Sequence, residues 1–223
     1  MTDQELNRSL VSPRDRFGNR VRKNLSAATM QDRVIASDTR ALADTFARLA
    51  ERGSVQAAAS LVLGARRRFI AGEGKSAAYA LLLSTDLSAT LSNIHLIEWR
   101  ALTPIVALTD VRSTDVLIAF AMRRYSADVI RLGRLFHEAG GQLIIITDSD
   151  DAPLTDLADV VITVDTGSAS HADSPTPVAA VAHLLSTLTS ASAKGARRRL
   201  TERDRLAREL ALYEPDDEAA HED

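Results

Sequence analysis

Three apolar runs in the chain refuse to alternate: VLIA at 116–119, LIIIT at 143–147 and VVITV at 160–164. A strand with one wet face reads apolar-polar-apolar, so an unbroken run implies cover on both faces. Helices laid on the two sides of a parallel sheet supply that cover. The segments between the runs have helical spacing. Ile35, Leu42, Phe46 and Leu49 recur at intervals of seven, four and three, and Gly53 stands where a helix cap belongs. A second helix is expected over 55–63, then a short strand at Phe69-Ile70-Ala71. The glycine loop at 72–74 opens a helix to about Leu91, and 94–97 reads as a strand. Thr103 and Pro104 suit the cap and first turn of a short helix to Leu108. Residues 115–119 form the central strand, and its helix, 126–139, should bury Val129, Leu132, Phe136 and Ala139. After the strand at 143–147, Pro153-Leu154 should begin a short helix before the strand at 160–164. Thr176-Pro177 starts a capped helix through Leu188, and a charged helix covers 194–212. The expectation is an α/β, three-layer α-β-α sandwich with a roughly five-stranded parallel sheet and no second core.

A length of 223 residues suits that single domain. It should occupy 26–213, between a flexible polar arm over 1–25 and an acidic, disordered tail over 214–223. Cysteine is absent, which excludes disulfides, thiolate metal sites and cysteine catalysis and fits a reducing, cytoplasmic setting. No apolar run approaches the ~20 residues of a membrane span, and the polar start has no signal-peptide core. A net charge of −3 is unlike a dedicated DNA-binding surface. No His, Asp or Glu spacing suggests a metal, no cofactor is called for, and 4% aromatic residues offer little for RNA stacking. Arg66-Arg67-Arg68 reads as the solvated end of a helix.

Gly72-Glu73-Gly74-Lys75-Ser76 follows the first strand and opens a helix. Glycines admit close approach of a ligand, and free N–H groups at a helix start attract an anion. A nucleotide P-loop would need glycine where Phe69 stands, so that reading fails. A dinucleotide fingerprint, with Ala77 in the last small position and Glu98 as ribose acceptor, stays open, as does a loop that merely turns the chain. The preferred reading is a seat for the phosphate or other anion of a small metabolite. At the same sheet edge, Arg123, Arg124, Tyr125 and Ser126 can hold a phosphate and a polyhydroxy compound. Thr147 and Asp148 end the next strand, where Asp148 accepts sugar hydroxyls or closes its own loop as an Asx-turn.

In order, the GEGKS loop, DVLIAFAMRRYSADVIRL (115–132), HEAGGQLIIITDSD (137–150), PLTDLADVVITV (153–164) and SPTPVAAVAHLL (174–185) resemble the sugar isomerase (SIS) domain. The resemblance covers roughly 30–212 and is to the effector domain of RpiR/MurR-type bacterial transcriptional regulators in particular. It implies a flavodoxin-like, phosphosugar-binding domain that dimerises. Gly72, Gly74 and Ser76 match its first clamp, and Arg124, Tyr125 and Ser126 its second; alanines at 121 and 152 stand where the family usually has serines. The alanine at 152 also removes the usual capping hydroxyl of the helix expected at Pro153. Such regulators carry a helix-turn-helix reader in front. Only about 25 residues precede the first sustained helix here, so an effector domain without direct DNA contact is expected.

An aldose–ketose isomerase needs a base placed to move a proton between adjacent carbons. Glu73, His95, Glu98, His137, His171 and His183 are available, without a close local pair. Glu73 lies nearest the anion loop, His171 sits in a segment able to close over a pocket, and His137 and His183 read as surface or interface groups. The function expected is therefore a non-catalytic sensor of a phosphorylated sugar or related anion. An isomerase using Glu73 or Glu98 is the alternative. Apolar residues beyond what one sheet needs, on the leading helix and at Leu200, Leu206, Leu210 and Leu212, suggest a homodimer.

Overall fold

The computed structural model describes residue 17 and residues 26–99 and 104–213. The arm expected over 1–25 (Phe17 apart), the Thr103 cap and the tail over 214–223 lie outside the described residues. Helix α1 (Ala27–Arg52) begins where Ser26 Oγ accepts the Thr29 N–H at 3.2 Å. It ends at Gly53, whose left-handed φ of 62° also starts α2 (Ser54–Gly64). There follow β1 (Arg67–Gly72), α3 (Lys75–Thr90), β2 (Ile94–Leu96), α4 (Pro104–Leu108), β3 (Asp115–Ala121) and α5 (Ala127–Glu138). The order closes with β4 (Gln142–Thr147), β5 (Val160–Thr163), α6 (Thr176–Ser192) and α7 (Ala196–Glu209).

All five strands are parallel, in the order β2-β1-β3-β4-β5. In the central strand β3 every residue is buried, and its side chains divide between two cores. Val116, Ile118 and Phe120 pack with Val62, Leu83 and Leu185 from α2, α3 and α6. Leu117, Ala119 and Ala121 pack with Ala107, Leu132 and Phe136 from α4 and α5. The period of two thus sends alternate residues into two covered layers, which is why the runs do not alternate in polarity. The result is a three-layer α/β/α sandwich. Strand order reverses between β1 and β3, and the carboxyl ends of those strands flank a crevice. Among the described residues no helix is long and apolar enough to cross a membrane.

Four expectations are corrected. Residues 153–157 form turns and no helix. Leu154 takes φ 79° and drives its side chain against Gly133 of α5, where an added Cβ would come within 2.5 Å of it. Position 152 therefore has no helix to cap. Ala139 is exposed, because it is the C-cap of α5 and lies past the buried stripe of Val129, Leu132, Gly133 and Phe136. On α1 the apolar stripe exceeds what the sheet covers, as expected: Leu49 is buried, while Ile35 and Phe46 are exposed.

Arg66-Arg67-Arg68 is not a solvated helix end. Arg67 and Arg68 belong to β1, and Arg68 is buried with its guanidinium on the carbonyls of Val62, Leu63 and Ser92. Two of those carbonyls close α2, where a cation complements the helix end. Arg66 and Arg67 both reach the fully buried Asp115, at 2.9 and 2.8 Å. Burial works to raise the Asp115 pKa, but hydrogen bonds from Arg67, Arg66 and the Arg112 N–H outweigh it and hold the group at about 2.

Candidate functional site

The carboxyl ends of β1, β3, β4 and β5 contribute to one cavity of about 560 Å³. The loop after β1 enters it first. An added Cβ at Gly72 would lie 2.4 Å from the Ser76 carbonyl oxygen, so only glycine lets the start of α3 fold back this closely. Gly74 takes φ 59° and ψ −127°, and it starts α3 without a side-chain cap. Ser76 is buried at the cavity wall. Lys75 Nζ donates to the carbonyl oxygen of Asp173, joining this loop to the segment before α6.

The loop after β3 forms the second wall. Asp148 anchors it: the Arg123 N–H and the Tyr125 hydroxyl both donate to Oδ1, at 3.3 and 3.0 Å, and Arg123 Nε lies 3.5 Å from Oδ2. Burial raises the Tyr125 pKa, and the Asp148 charge adds to the shift, so the phenol remains a donor. The hydrogen bonds of Asp148 thus run to a neighbouring loop, not back to an Asx-turn of its own. Ser126 caps α5 by accepting the Val129 N–H at 3.5 Å, and its hydroxyl donates to Glu73 Oε2. Arg124 is exposed and makes no hydrogen bond or ion pair among the described residues.

The segment 165–174 supplies the third wall, and α1 holds it. The Asp165 N–H donates to Thr45 Oγ1 at 3.0 Å, the Ala169 N–H to Ser37 Oγ at 2.8 Å, and Ser174 Oγ to Asp38 at 2.7 Å. His171 lines the cavity, and the ring of Phe17 stands edge-on to it with centroids 6.0 Å apart. Behind them Tyr79 is buried; burial, with help from the Asp173 charge, pushes its pKa up to about 12. It stays a neutral donor.

Of the residues expected from sequence, Glu73, Gly74, Lys75, Ser76, Arg123, Arg124, Ser126, Asp148 and His171 line this cavity. Gly72, Tyr125 and Thr147 stand behind it as supports; buried Thr147 donates to the Ala121 carbonyl at 2.7 Å. Glu98 does not reach the cavity, because it follows the edge strand β2 and is exposed there. Sequence reasoning missed Tyr79, Asp165, Ser168 and Ser174. The signal for three of them was available: the polar run DTGSASHADS leaves β5 at the sheet edge already assigned to ligand. Hydroxyls and cations from two walls with carboxylates interspersed can hold a small molecule that is anionic at one end and hydroxylated at the other.

Comparison with known proteins bears on this arrangement. The structure is similar to the sugar isomerase domain of an RpiR transcription factor from Sphaerobacter thermophilus. Identity is 26% with a TM-score of 0.71, covering 77% of this chain and 96% of that one. It shares its fold with the Vibrio vulnificus NanR protein complexed with ManNAc-6P, at 16% identity and TM-score 0.64, covering 78% of this chain and 68% of that one. An Escherichia coli CFT073 protein, solved in complex with a ligand, has the same fold at 17% identity and TM-score 0.51, covering 74% of this chain and 93% of that one. No curated protein sequence matches the chain. The SIS domain profile matches residues 61–193, from the end of α2 to the end of α6, so the chain belongs to the SIS domain family.

Proposed function

We propose that this protein is a non-catalytic sensor that binds a phosphorylated sugar, or a related small anion, in the cavity at the β1/β3 crevice. One observation carries the reading: Gly74-Lys75-Ser76 and Arg123-Arg124-Ser126, far apart in sequence, line the same cavity with Arg124 unpaired among the described residues. The likeness to an RpiR transcription factor supports a role in transcription regulation. The reading extends to a cytoplasmic homodimer that makes no direct DNA contact of its own, in keeping with a net charge of −3. The ManNAc-6P held by a protein of the same fold supports the ligand class. Calorimetric titration with a panel of sugar phosphates tests it. At least one member should bind more tightly than inorganic phosphate; equal or weaker binding by all of them at millimolar concentration would remove the ligand from this reading.

The isomerase alternative keeps one supporting observation, the Glu73 carboxylate at the cavity wall. It predicts deuterium exchange at C1 or C2 of a sugar phosphate, seen by NMR and lost in Glu73→Gln. The sensor reading expects no exchange above background.

A further inference from the structure

The proposed ligand is an anion, yet the loop that would receive it brings a carboxylate of its own. Glu73 Oε2 accepts the hydroxyl proton of Ser126, and Ser126 is also the cap of α5. A hydroxyl has one proton to donate. While Ser126 gives it to Glu73, it has none for a phosphate oxygen. Lys75, next along the loop, is directed to the Asp173 carbonyl, and Arg124 is unpaired among the described residues. The fold makes no demand for a charge at position 73. Its side chain is exposed, and the loop's conformational requirements fall on Gly72 and Gly74. A carboxamide would accept the same hydrogen bond. The negative charge therefore bears on what enters the cavity.

We infer that Glu73 is a resident anion that sets the charge requirement of the cavity: a phosphate-bearing ligand binds by displacing its carboxylate from Ser126. The inference rests on the anion-binding reading above. Glu73 weakens every phosphate-bearing ligand, through like-charge repulsion and through the fraction of molecules in which Ser126 is already engaged. Neutral sugars escape the first effect. Glu73 thus sets a threshold: inorganic phosphate, with few contacts to offer, binds too weakly to fill the site, whereas a ligand with more contacts still can.

The test is calorimetry on wild type, Glu73→Gln and Glu73→Ala with inorganic phosphate, glucose 6-phosphate and glucose. Both variants should bind the two phosphate-bearing probes roughly tenfold more tightly than wild type, with glucose unchanged in Glu73→Gln, which keeps the bond to Ser126. Equal or weaker phosphate binding in both variants, when wild type binds, overturns the role of Glu73 and leaves the anion-binding reading standing. A parallel gain for glucose in Glu73→Gln overturns it too, since the effect would then not be one of charge. No phosphate binding by wild type or either variant removes both readings together.

Discussion

Asp115 is the clearest case of a single residue whose environment decides its behaviour. It is fully buried, accepts from two arginines, and has its pKa held at about 2 against an ordinary value of 3.8. Because the folded value lies below the unfolded one, the stabilisation is fully present above about pH 4 and is lost as pH falls through about 2. Asp115→Asn should cost about 2 kcal/mol at neutral pH, measured by urea unfolding, and the gap to wild type should close on acidification. A gap independent of pH would refute the assignment. In the cavity, Ser76→Ala and Arg124→Ala should leave the melting temperature within a few degrees of wild type. Each should weaken a sugar phosphate roughly ten- to a hundredfold, from the loss of a charge-assisted contact. Unchanged titrations in both variants would place the ligand elsewhere.

Among the elements, α1 and the segment 165–174 depend on each other. The hydroxyl of Thr45, wholly buried, accepts the Asp165 N–H, and two further bonds from Ala169 and Ser174 land about two turns away on the same helix. Thr45→Val keeps the shape and removes that acceptor, leaving a buried N–H unpaired at about 1–3 kcal/mol. Amide hydrogen exchange should rise through 165–174 and remain unchanged in β3 and β4. Exchange that rises evenly over the whole chain would mean that Thr45 supports global stability alone. Because eight of the cavity's lining residues, Asp165, Ser168 and Ser174 among them, sit in this segment, loosening it should also weaken ligand binding in the same variant.

For the whole molecule, the exposed apolar side chains need cover. Ile35 and Phe46 on α1 and Leu200 and Leu206 on α7 are at least 40% exposed, and Leu210, just beyond α7, is 66% exposed. Burial in a second copy is the simplest cover, and the family resemblance points the same way. Light scattering at micromolar concentration should report about twice the 24.1 kDa of one chain, and Phe46→Glu should halve it. A monomer across that range would refute the dimer. α1 also pins the segment 165–174, so the dimer contact and the ligand cavity would share one helix.

What the sequence determined by itself is local or periodic. Unbroken runs such as LIIIT place the buried strands, Gly72 and Gly74 announce a close turn into a helix, and Ser126 reads as a helix cap. Each depends on a few neighbouring residues and on steric or hydrogen-bonding rules that act within a turn or two. The helix expected at Pro153 failed because Leu154 gains more by filling the space over Gly133 in α5 than the local pattern gains by coiling. Arg68 looked like surface in a run of three arginines and became buried because the open carbonyls of α2 met it in space. What holds the third cavity wall was illegible for the same reason. Thr45, Ser37 and Asp38 lie 120, 132 and 136 residues from the groups they hold, and no periodicity links partners that only the packing of α1 against the sheet brings together.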